Sequence, residues 1–247
     1  MEKKGLTSFA LKIIGFCAMI LGSVPLVLGG EIFPYYRIFF RISAVLFAFV
    51  LTEGFYHTSS RTKYLVRLLI AGIVMYAGNH LVAYLTGNNL PLEYGMFLTL
   101  AAGFGAMWIF NWVREDGYSL ESRMIGITAG AVLSILAMMF AESGFCVIPV
   151  ALIGFFFHGK KLWISLLLIA ISAVLAFNSI AYTPSGAIDW NLFFTENCDW
   201  SIIGLLPFVL FYGGRSGPNR GFAKWFFYAC YPLCVWACAV VGMYFTR

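Results

Sequence analysis

One short stretch of the sequence carries its densest group of reactive side chains. The members are Glu53, His57, Arg61, Lys63, Tyr64 and Arg67. Glu53 and His57 are four residues apart, so on a continuing helix they share a face and can pair. The lysine and arginine side chains after His57 are suited to binding a phosphorylated ligand, because arginine matches phosphate with two hydrogen bonds. The alternative is a cytoplasmic loop that is rich in positive charge for topological reasons alone.

A second pair of charges, Arg37 and Arg41, is also spaced four residues apart and shares a helix face. The topology derived below places this pair on the outer side of a membrane, against the usual preference of arginine for the cytoplasmic side. Three uses fit that position. The pair could bind Glu31 or Glu142, hold an anionic acceptor, or reach lipid headgroups with its long side chains.

The positions of the other polar residues in or beside apolar runs indicate structural roles. Asn79 and His80 lie inside one run, where a polar pair typically forms hydrogen bonds between helices. His158 stands beside Lys160 and Lys161 at the end of another run and is interpreted as interfacial. The three histidines are scattered and no Cys/His spacing of the zinc-finger type occurs, so no metal site is predicted.

The six cysteines are spread along the chain. Cys230, Cys234 and Cys238 repeat every four residues, which is the spacing of a close helix–helix contact, and packing is their predicted use. Cys146 and Cys198 both fall near the predicted outer face. They could form a disulfide bond in an oxidising compartment or stay reduced.

The composition defines the environment that must position these residues. Of the 247 residues, 61% are hydrophobic and 11% are charged, and the mean hydropathy is +0.86. Soluble domains carry roughly 25% charged residues, so a soluble globule and a disordered chain are both excluded. The partner is a lipid bilayer. The net charge of +5 needs no nucleic acid to explain it, because topology accounts for it.

Nine apolar runs are candidates for membrane spans, since a spanning helix needs about 20 mostly apolar residues. They cover approximately 8–29, 38–56, 64–86, 94–113, 124–141, 144–158, 161–180, 200–213 and 222–245. Two of them, 144–158 and 200–213, are shorter than usual, so eight to ten spans are compatible with the sequence. Lipid offers no partner for free backbone amides, which predicts an all-α, polytopic helix bundle forming one integral-membrane domain over 1–247.

Lysine and arginine set the predicted orientation. With the N-terminus inside, twelve of the sixteen basic residues fall in cytoplasmic segments: Lys3, Lys4, Arg61, Lys63, Arg67, Arg114, Arg123, Lys160, Lys161, Arg215, Arg220 and Lys224. Nine spans then place the C-terminus outside. The prediction is a multi-pass protein of the plasma membrane.

Several short motifs lie toward the two ends of the chain. They are Leu11-Lys-Ile-Ile14, Phe33-Pro34, Phe47-Ala-Phe49, Glu53-Gly-Phe-Tyr-His57-Thr58, Lys63-Tyr64-Leu-Val-Arg67, Leu206-Pro207, Phe211-Tyr212-Gly213-Gly214-Arg215, Phe226-Phe227-Tyr228 and Tyr231-Pro232-Leu233. Their order, with Arg37, Arg41 and Arg61 between them, resembles the TraX-like family of conjugal pilin acetylases. These proteins are related to integral-membrane acyltransferases.

The resemblance implies a bacterial inner-membrane transacylase with acyl-CoA, such as acetyl-CoA, as cosubstrate. Its acceptor would be a protein or peptide at the membrane or beyond it. The roles it implies are donor binding by Arg61, Lys63, Tyr64 and Arg67, proton transfer by His57 paired with Glu53, and orientation of the acceptor by Arg37 and Arg41.

The sequence departs from the family pattern at three places. Gly22-Ser23 stands where members have Asp-His, Val45 where they tend to have Pro, and Cys234 where they have His. Because histidine is the usual proton acceptor in acyl transfer, these departures favour an alternative function, a non-catalytic accessory or assembly subunit of a membrane complex. A covalent route through Ser23 or Cys234 is the remaining possibility.

Overall fold

A computed structural model describes residues 5–28, 32–87, 95–115, 117–183, 186–215, 217 and 220–245. The helices in these ranges are α1 (Ser8–Gly22), α2 (Pro25–Leu28), α3 (Tyr36–His57), α4 (Arg61–Thr86), α5 (Met96–Val113), α6 (Leu120–Phe140), α7 (Gly144–Phe156), α8 (Lys161–Asn178), α9 (Trp190–Thr195), α10 (Leu206–Phe211) and α11 (Arg220–Phe245). A 3-10 helix, Asp199–Leu205, leads into α10. Two short strands, β1 (Leu6–Thr7) and β2 (Tyr212–Arg215), complete the fold.

The protein is a nearly all-α bundle. Among the described residues, six helical segments are long and apolar enough to cross a membrane: Ser8–Leu28, Tyr36–His57, Arg61–Thr86, Met96–Val113, Leu120–Phe140 and Lys161–Asn178. Three shorter apolar helical segments are Gly144–Phe156, Asp199–Phe211 and Phe227–Met243.

Helices α4 and α6 begin at Arg61 and Leu120, ahead of the apolar runs 64–86 and 124–141 that predict them. Ser60 Oγ accepts the backbone N–H of Lys63 at 3.3 Å, and Ser119 Oγ accepts the N–H of Ser122 at the same distance. A serine cap of this kind satisfies an otherwise unpaired N–H of the first turn. The polar first turns of α4 and α6 are therefore helical, although hydropathy places their starts near 64 and 124.

The run 200–213 departs most from the prediction of one spanning α-helix. It divides into the 3-10 helix, the six-residue α10 and the start of β2. β2 pairs in parallel with β1, with Leu6 opposite Tyr212. The close approach requires glycine, since a Cβ on Gly5 would lie 2.8 Å from the Cα of Gly213. The pairing holds the beginning of the chain against its last third.

Helix α3 is the centre of the bundle. It packs against α1, α5, α7 and the 3-10 helix. Its middle turns are deeply buried, since Val45, Leu46 and Ala48 are fully buried and Phe49 is 3% exposed. Apolar burial on all sides gives α3 the environment of a core helix, and it fixes the positions of the charged residues at its two ends.

The connections between helices fall at two ends of the bundle. One, the basic end, is where α3, α5 and α7 finish and α4, α6 and α8 begin. This end carries the cations Arg61, Lys63, Arg67, Arg114, Arg123, Lys160, Lys161 and Arg215 and the acids Glu53, Glu115 and Glu121. The opposite, acidic end carries Arg37 and Arg41 together with Glu142, Asp189, Glu196 and Asp199. The charge asymmetry predicted from the sequence is thus present in the fold.

Candidate functional site

A buried carboxylate at the basic end is the centre of the candidate site. Glu53, on the last turn but one of α3, is only 8% exposed. Its Oε2 accepts a hydrogen bond of 3.0 Å from the hydroxyl of Tyr212. Its Oε1 lies 3.2 Å from Nε2 of His158. Burying a carboxylate is costly unless it is paired, and here the two oxygens are divided between two partners.

Three elements bring these partners to α3. His158 lies just past the end of α7, in a turn closed by Gly159, whose φ of +79° is left-handed. Tyr212 is the first residue of β2, which β1 holds in place. Ser8 Oγ is 2.7 Å from the Tyr212 hydroxyl. Since the phenol donates to Glu53, the serine hydroxyl donates to the phenol.

The imidazole of His158 is held in one orientation. Its ring stacks on Tyr56, with centroids 3.8 Å apart and an interplanar angle of 24°. Tyr56 is fixed in turn by a 2.7 Å hydrogen bond from its hydroxyl to the carbonyl of Phe155. With Nε2 directed to Glu53, Nδ1 is the nitrogen that can exchange a proton with a ligand. The His158 side chain is 32% exposed, so a ligand can reach it.

Cations surround this pair. The guanidinium of Arg61 lies 4.7 Å from the Phe55 ring centroid, and that of Arg114 lies 5.0 Å from the Phe155 centroid. Both arginines interact electrostatically with the Tyr56 hydroxyl. Lys161 Nζ donates to the carbonyls of Leu210, at 3.0 Å, and Tyr212. The surroundings therefore favour an anionic ligand.

Tyr212 acts as a hydrogen-bond donor in the site. Burial raises the pKa of its hydroxyl well above the ordinary value of 10, and the Glu53 carboxylate acts in the same direction. The phenol therefore keeps its proton and orients the carboxylate toward His158.

The predicted pairing of Glu53 with His57 is not the one that forms. His57 Nδ1 lies 2.8 Å from the backbone carbonyl oxygen of Glu53, and the His57 side chain is exposed. The carboxylate instead turns inward, where Tyr212 and His158 replace the water it gives up. His158, interpreted from the sequence as interfacial, is its histidine partner.

The four predicted donor-binding residues divide into Arg61 on one side and Lys63, Tyr64 and Arg67 on the other. Helix α3 ends at His57 and α4 begins at Arg61, so the two are not on one continuous helix. Arg61 packs on Phe55 near His158. Lys63 is exposed on the first turn of α4. Arg67 lies one turn further along α4, 5.6 Å from the Tyr64 ring centroid, and its Nε donates to the Lys63 carbonyl at 2.9 Å. Arg61 alone of the four is placed beside the Glu53–His158 pair.

The two arginines of the acidic end form ion pairs within the chain. Arg37 lies 2.9 Å from Glu196, and Arg41 lies 2.7 Å from Asp199 and donates to Ser143. Of the predicted partners, Glu31 lies outside the described residues, and a pairing with Glu142 stays a prediction. A role in binding an acceptor stays a prediction.

The residues at the family departures lie apart from His158. Ser23 is fully buried at the far end of α1, and its hydroxyl donates to the Met19 carbonyl at 3.0 Å. Val45 is fully buried in α3. Cys234 lies in the middle of α11, packed against the core. Within the described part of the chain, the side-chain contacts of Ser23 Oγ are with Met19, and neither the Met19 carbonyl nor its sulfur is a base for a covalent route.

The remaining polar predictions concern α4 and α11. Asn79 Oδ1 accepts a 2.9 Å hydrogen bond from Nε1 of Trp236, which joins the two helices as expected for a buried polar residue. His80 is exposed and contacts Tyr76 on its own helix. Within the described ranges, no group of three or more metal-ligating side chains comes together.

The thiols of the acidic end are reduced in this structure. Cys146 and Cys198 are both free and buried, and Cys146 Sγ lies 3.6 Å from Oδ1 of Asp199. Burial raises the pKa of Cys198 to about 11, and Asp199 adds to that effect. The thiol therefore stays protonated and is a poor nucleophile near neutral pH.

Sequence reasoning missed His158, Tyr212 and Ser8 as members of the site. Tyr212 lies 159 residues from Glu53, and no helical periodicity can join residues so far apart. One signal was present. The alternating spans place the end of 144–158 on the same side as the end of 38–56, so His158 and Glu53 share an end of the bundle.

Comparison of the chain with protein-family profiles, with curated proteins and with solved structures finds no match. The resemblance to TraX-like proteins therefore stays a prediction that rests on the motifs quoted above.

Proposed function

We propose that the protein is an integral-membrane acyltransferase that uses acyl-CoA, such as acetyl-CoA, at the basic end of the bundle. The observation that carries the proposal is the histidine of the Glu53–His158 pair, oriented by a carboxylate and accessible to a ligand. A base of this kind, within reach of an anionic substrate, is the arrangement that acyl transfer requires.

The chemistry assigns a task to each group. The acceptor's N–H or O–H gives its proton to Nδ1 of His158 as the acceptor attacks the thioester carbonyl. The C–S bond then breaks, and the coenzyme A thiolate leaves and takes the proton from the imidazolium. Between these two proton transfers, Glu53 stabilises the charged imidazole, as a carboxylate does for a catalytic histidine. Arg61 and Arg114 are placed to attract the donor phosphates.

The same structure limits where the acceptor can react. Arg41 and Glu53 are twelve residues apart on α3, which corresponds to about 18 Å along the helix axis. Most of the side chains between them are buried and apolar, with Phe49 3% and Leu51 2% exposed, and the polar ones are the hydroxyls of Ser43 and Thr52. We therefore propose that the acceptor reaches the basic end from the membrane or from that side. This revises the predicted role of Arg37 and Arg41 in orienting it.

A thioester-consumption assay tests the proposal. The purified protein is incubated with acetyl-CoA in lipid nanodiscs, and release of the free thiol is followed for wild type, His158→Gln and His57→Gln. We expect His158→Gln to lose roughly 100-fold or more in rate. His57→Gln is the matched control and should stay within a few-fold of wild type. Loss of activity in His57→Gln alone would assign the base to His57 and overturn the role of His158.

A second candidate function, the accessory or assembly subunit, is favoured by the mutual pairing of the charges. Glu53 binds Tyr212 and His158, Arg37 binds Glu196, and Arg41 binds Asp199. Charged groups that pair with one another stabilise a fold even in a protein that catalyses no reaction. Purification from native membranes separates the two functions. A stoichiometric partner protein, with acetyl-CoA neither bound nor consumed, would support the accessory role and exclude the enzyme.

The membrane placement belongs to the same proposal. We propose nine spans, in which the three shorter apolar helices join the six longer ones, with the N-terminus inside and the C-terminus outside a bacterial inner membrane. The support is the concentration of lysine and arginine at the basic end.

A further inference from the structure

Helix α4 carries an exposed stripe on the side that faces away from the bundle. Its buried residues fall on one face and are Leu68, Gly72, Met75, Asn79 and Val82. The opposite face carries exposed residues at alternating steps of four and three, which are called the α4 stripe below: Val66, Ile70, Ile73, Ala77, His80 and Tyr84. Alternating steps of this kind are the spacing at which two helices pack along their length with a left-handed crossing.

His80 is the unusual member of the α4 stripe. No Asp, Glu, Lys or Arg occurs between Arg67 and Glu93. His80 follows Arg67 by thirteen residues, which corresponds to about 20 Å along the helix axis. With Arg67 at the boundary of a hydrocarbon layer about 30 Å thick, His80 lies inside that layer. An ionisable side chain at this depth typically faces the interior of its bundle and pairs there, whereas His80 points away from its own bundle.

The contacts of His80 leave its hydrogen-bonding groups available. Its ring meets Tyr76, one turn earlier on the same helix, with centroids 4.5 Å apart and an interplanar angle of 75°. Within the described part of the chain, neither ring nitrogen of His80 forms a hydrogen bond to an oxygen or nitrogen atom. A polar group left unpaired in an apolar medium costs free energy. A protein surface with hydrogen-bonding groups therefore fits this face of α4 better than lipid chains do.

We infer that the α4 stripe is the contact surface for a second copy of this chain in the same membrane. A two-fold axis along the membrane normal places the two α4 helices side by side at equal depth, so each residue of the stripe meets its counterpart. The argument for a second copy is self-complementarity. A neutral imidazole has one N–H donor and one acceptor nitrogen, so the His80 of one copy can donate to the His80 of the other.

The rest of the α4 stripe fits the same contact. Ala77, the neighbouring position, is small and lets two helix backbones approach closely. Ile70 and Ile73 are 56% and 63% exposed and supply apolar packing on one side, and Tyr84 supplies a ring and a hydroxyl on the other. Lys63, three residues before the stripe, lies on the first turn of α4 at the basic end, where water and salt screen its repulsion from the same residue of the second copy.

The inference rests on the proposed crossing of the membrane by α4 and is independent of acyl transfer. The partners of Glu53 are Tyr212 and His158, which belong to other elements. The α4 stripe and the candidate site are therefore separate surfaces, and a dimer is compatible with an enzyme and with an accessory subunit.

Oxidative cross-linking in native membranes tests the contact. Ala77→Cys is compared with wild type, which gives the background from the native cysteines, and with Ile135→Cys of α6. Ile135 is a matched control because it is 55% exposed and lies fifteen residues into a helix that also starts at the basic end, whereas Ala77 lies sixteen residues into α4. We expect a covalent dimer of Ala77→Cys and only background from Ile135→Cys.

Two outcomes of the cross-linking would overturn the inference. Equal dimer yields from the two positions would show random collision. An adduct of Ala77→Cys with a different protein would assign the α4 stripe to that partner.

The role of His80 is tested by energy transfer between fluorescently labelled copies in liposomes, measured over a range of lipid-to-protein ratios. His80→Leu keeps apolar bulk but removes the hydrogen-bonding groups, so the dissociation constant of the dimer should rise roughly tenfold. His80→Gln keeps a donor and an acceptor and should stay within a few-fold of wild type. A wild-type protein that is monomeric at every ratio, or a His80→Leu dimer as tight as wild type, would contradict the inference. Retention in alkali-washed membranes tests the membrane placement separately.

Discussion

At the scale of single residues, Glu53 is the side chain on which the candidate site is built. It is a carboxylate in an apolar bundle, and its neighbours Tyr212, Ser8 and His158 form one continuous hydrogen-bonded chain with it. In such a network the loss of one partner leaves another buried group unsatisfied, and this costs more than the net value of one hydrogen bond.

Removing the Tyr212 hydroxyl tests the stability of this network. Tyr212→Phe leaves one oxygen of Glu53 without its donor, and we expect the free energy of unfolding to fall by about 1–3 kcal/mol. Tyr84→Phe is the matched control, because Tyr84 is 85% exposed. It should change stability by less than about 0.5 kcal/mol. Denaturant unfolding in detergent measures both, and equal stabilities would contradict the network.

The sequence identifies only part of this site. Glu53 stands out because an ionisable residue in a membrane segment is rarely without a role, and the structure buries it. The sequence alone does not identify the histidine that pairs with Glu53. Helix periodicity offers His57 as the neighbour, yet a helix surface also faces other elements, and His158 arrives from a different loop. Local spacing cannot distinguish a side chain that points to solvent from one that points inward.

At the scale of elements, helices α5 and α6 meet along a seam of small residues. Gly126, Gly130, Ser134 and Ala137 are the buried residues of α6, at the spacing typical of close helix contacts in membranes. A Cβ on Gly126 would lie 2.3 Å from a methyl group of Val113, and one on Gly130 would lie 2.9 Å from the Phe110 ring. The two glycines therefore set the distance between the helices.

Enlarging a seam residue tests this contact. Gly126→Ala forces Val113 and Trp112 to move, so we expect a loss of stability of about 1–3 kcal/mol. Gly105→Ala is the control on the facing helix, because its Cβ would lie at an ordinary 3.5 Å from Leu133. Thermal unfolding of both variants in nanodiscs gives the comparison. A Gly126→Ala protein as stable as Gly105→Ala would show that the helices are farther apart than described.

Hydropathy predicts the long helices well and the short elements poorly. A long apolar run in lipid has few alternatives to a helix, because its backbone must satisfy its own hydrogen bonds. The segment Asp199–Phe211 is different. Seven residues of 3-10 helix at about 2.0 Å each and six of α-helix at about 1.5 Å each reach about 23 Å, whereas thirteen α-helical residues reach about 20 Å. Composition does not reveal this lengthening.

At the scale of the whole molecule, the two ends of the bundle differ in charge, and this determines the expected orientation. The basic end should face the cell interior. The prediction is tested by cysteine labelling in intact cells with a membrane-impermeant maleimide, using Lys63→Cys for the basic end and Tyr182→Cys for the acidic end. Both native residues are exposed.

We expect labelling at 182 in intact cells and labelling at 63 only after the membrane is permeabilised. The wild-type protein gives the background from the native cysteines. Labelling of 63 from outside would reverse the orientation and place the proposed donor site away from cytoplasmic acyl-CoA.

The pairing of β1 with β2 has a consequence for biosynthesis. The hydroxyl of Ser8 meets a residue 204 positions further along the chain. At roughly 5–20 residues per second, the ribosome needs roughly 10–40 s to make that distance. Glu53 itself precedes the Tyr212 phenol by 159 residues, so for most of this interval its carboxylate has no phenol partner and must be kept hydrated or sheltered. Capture of the amino-terminal strand is then among the last steps of assembly, and a truncated chain ending before Tyr212 cannot complete it.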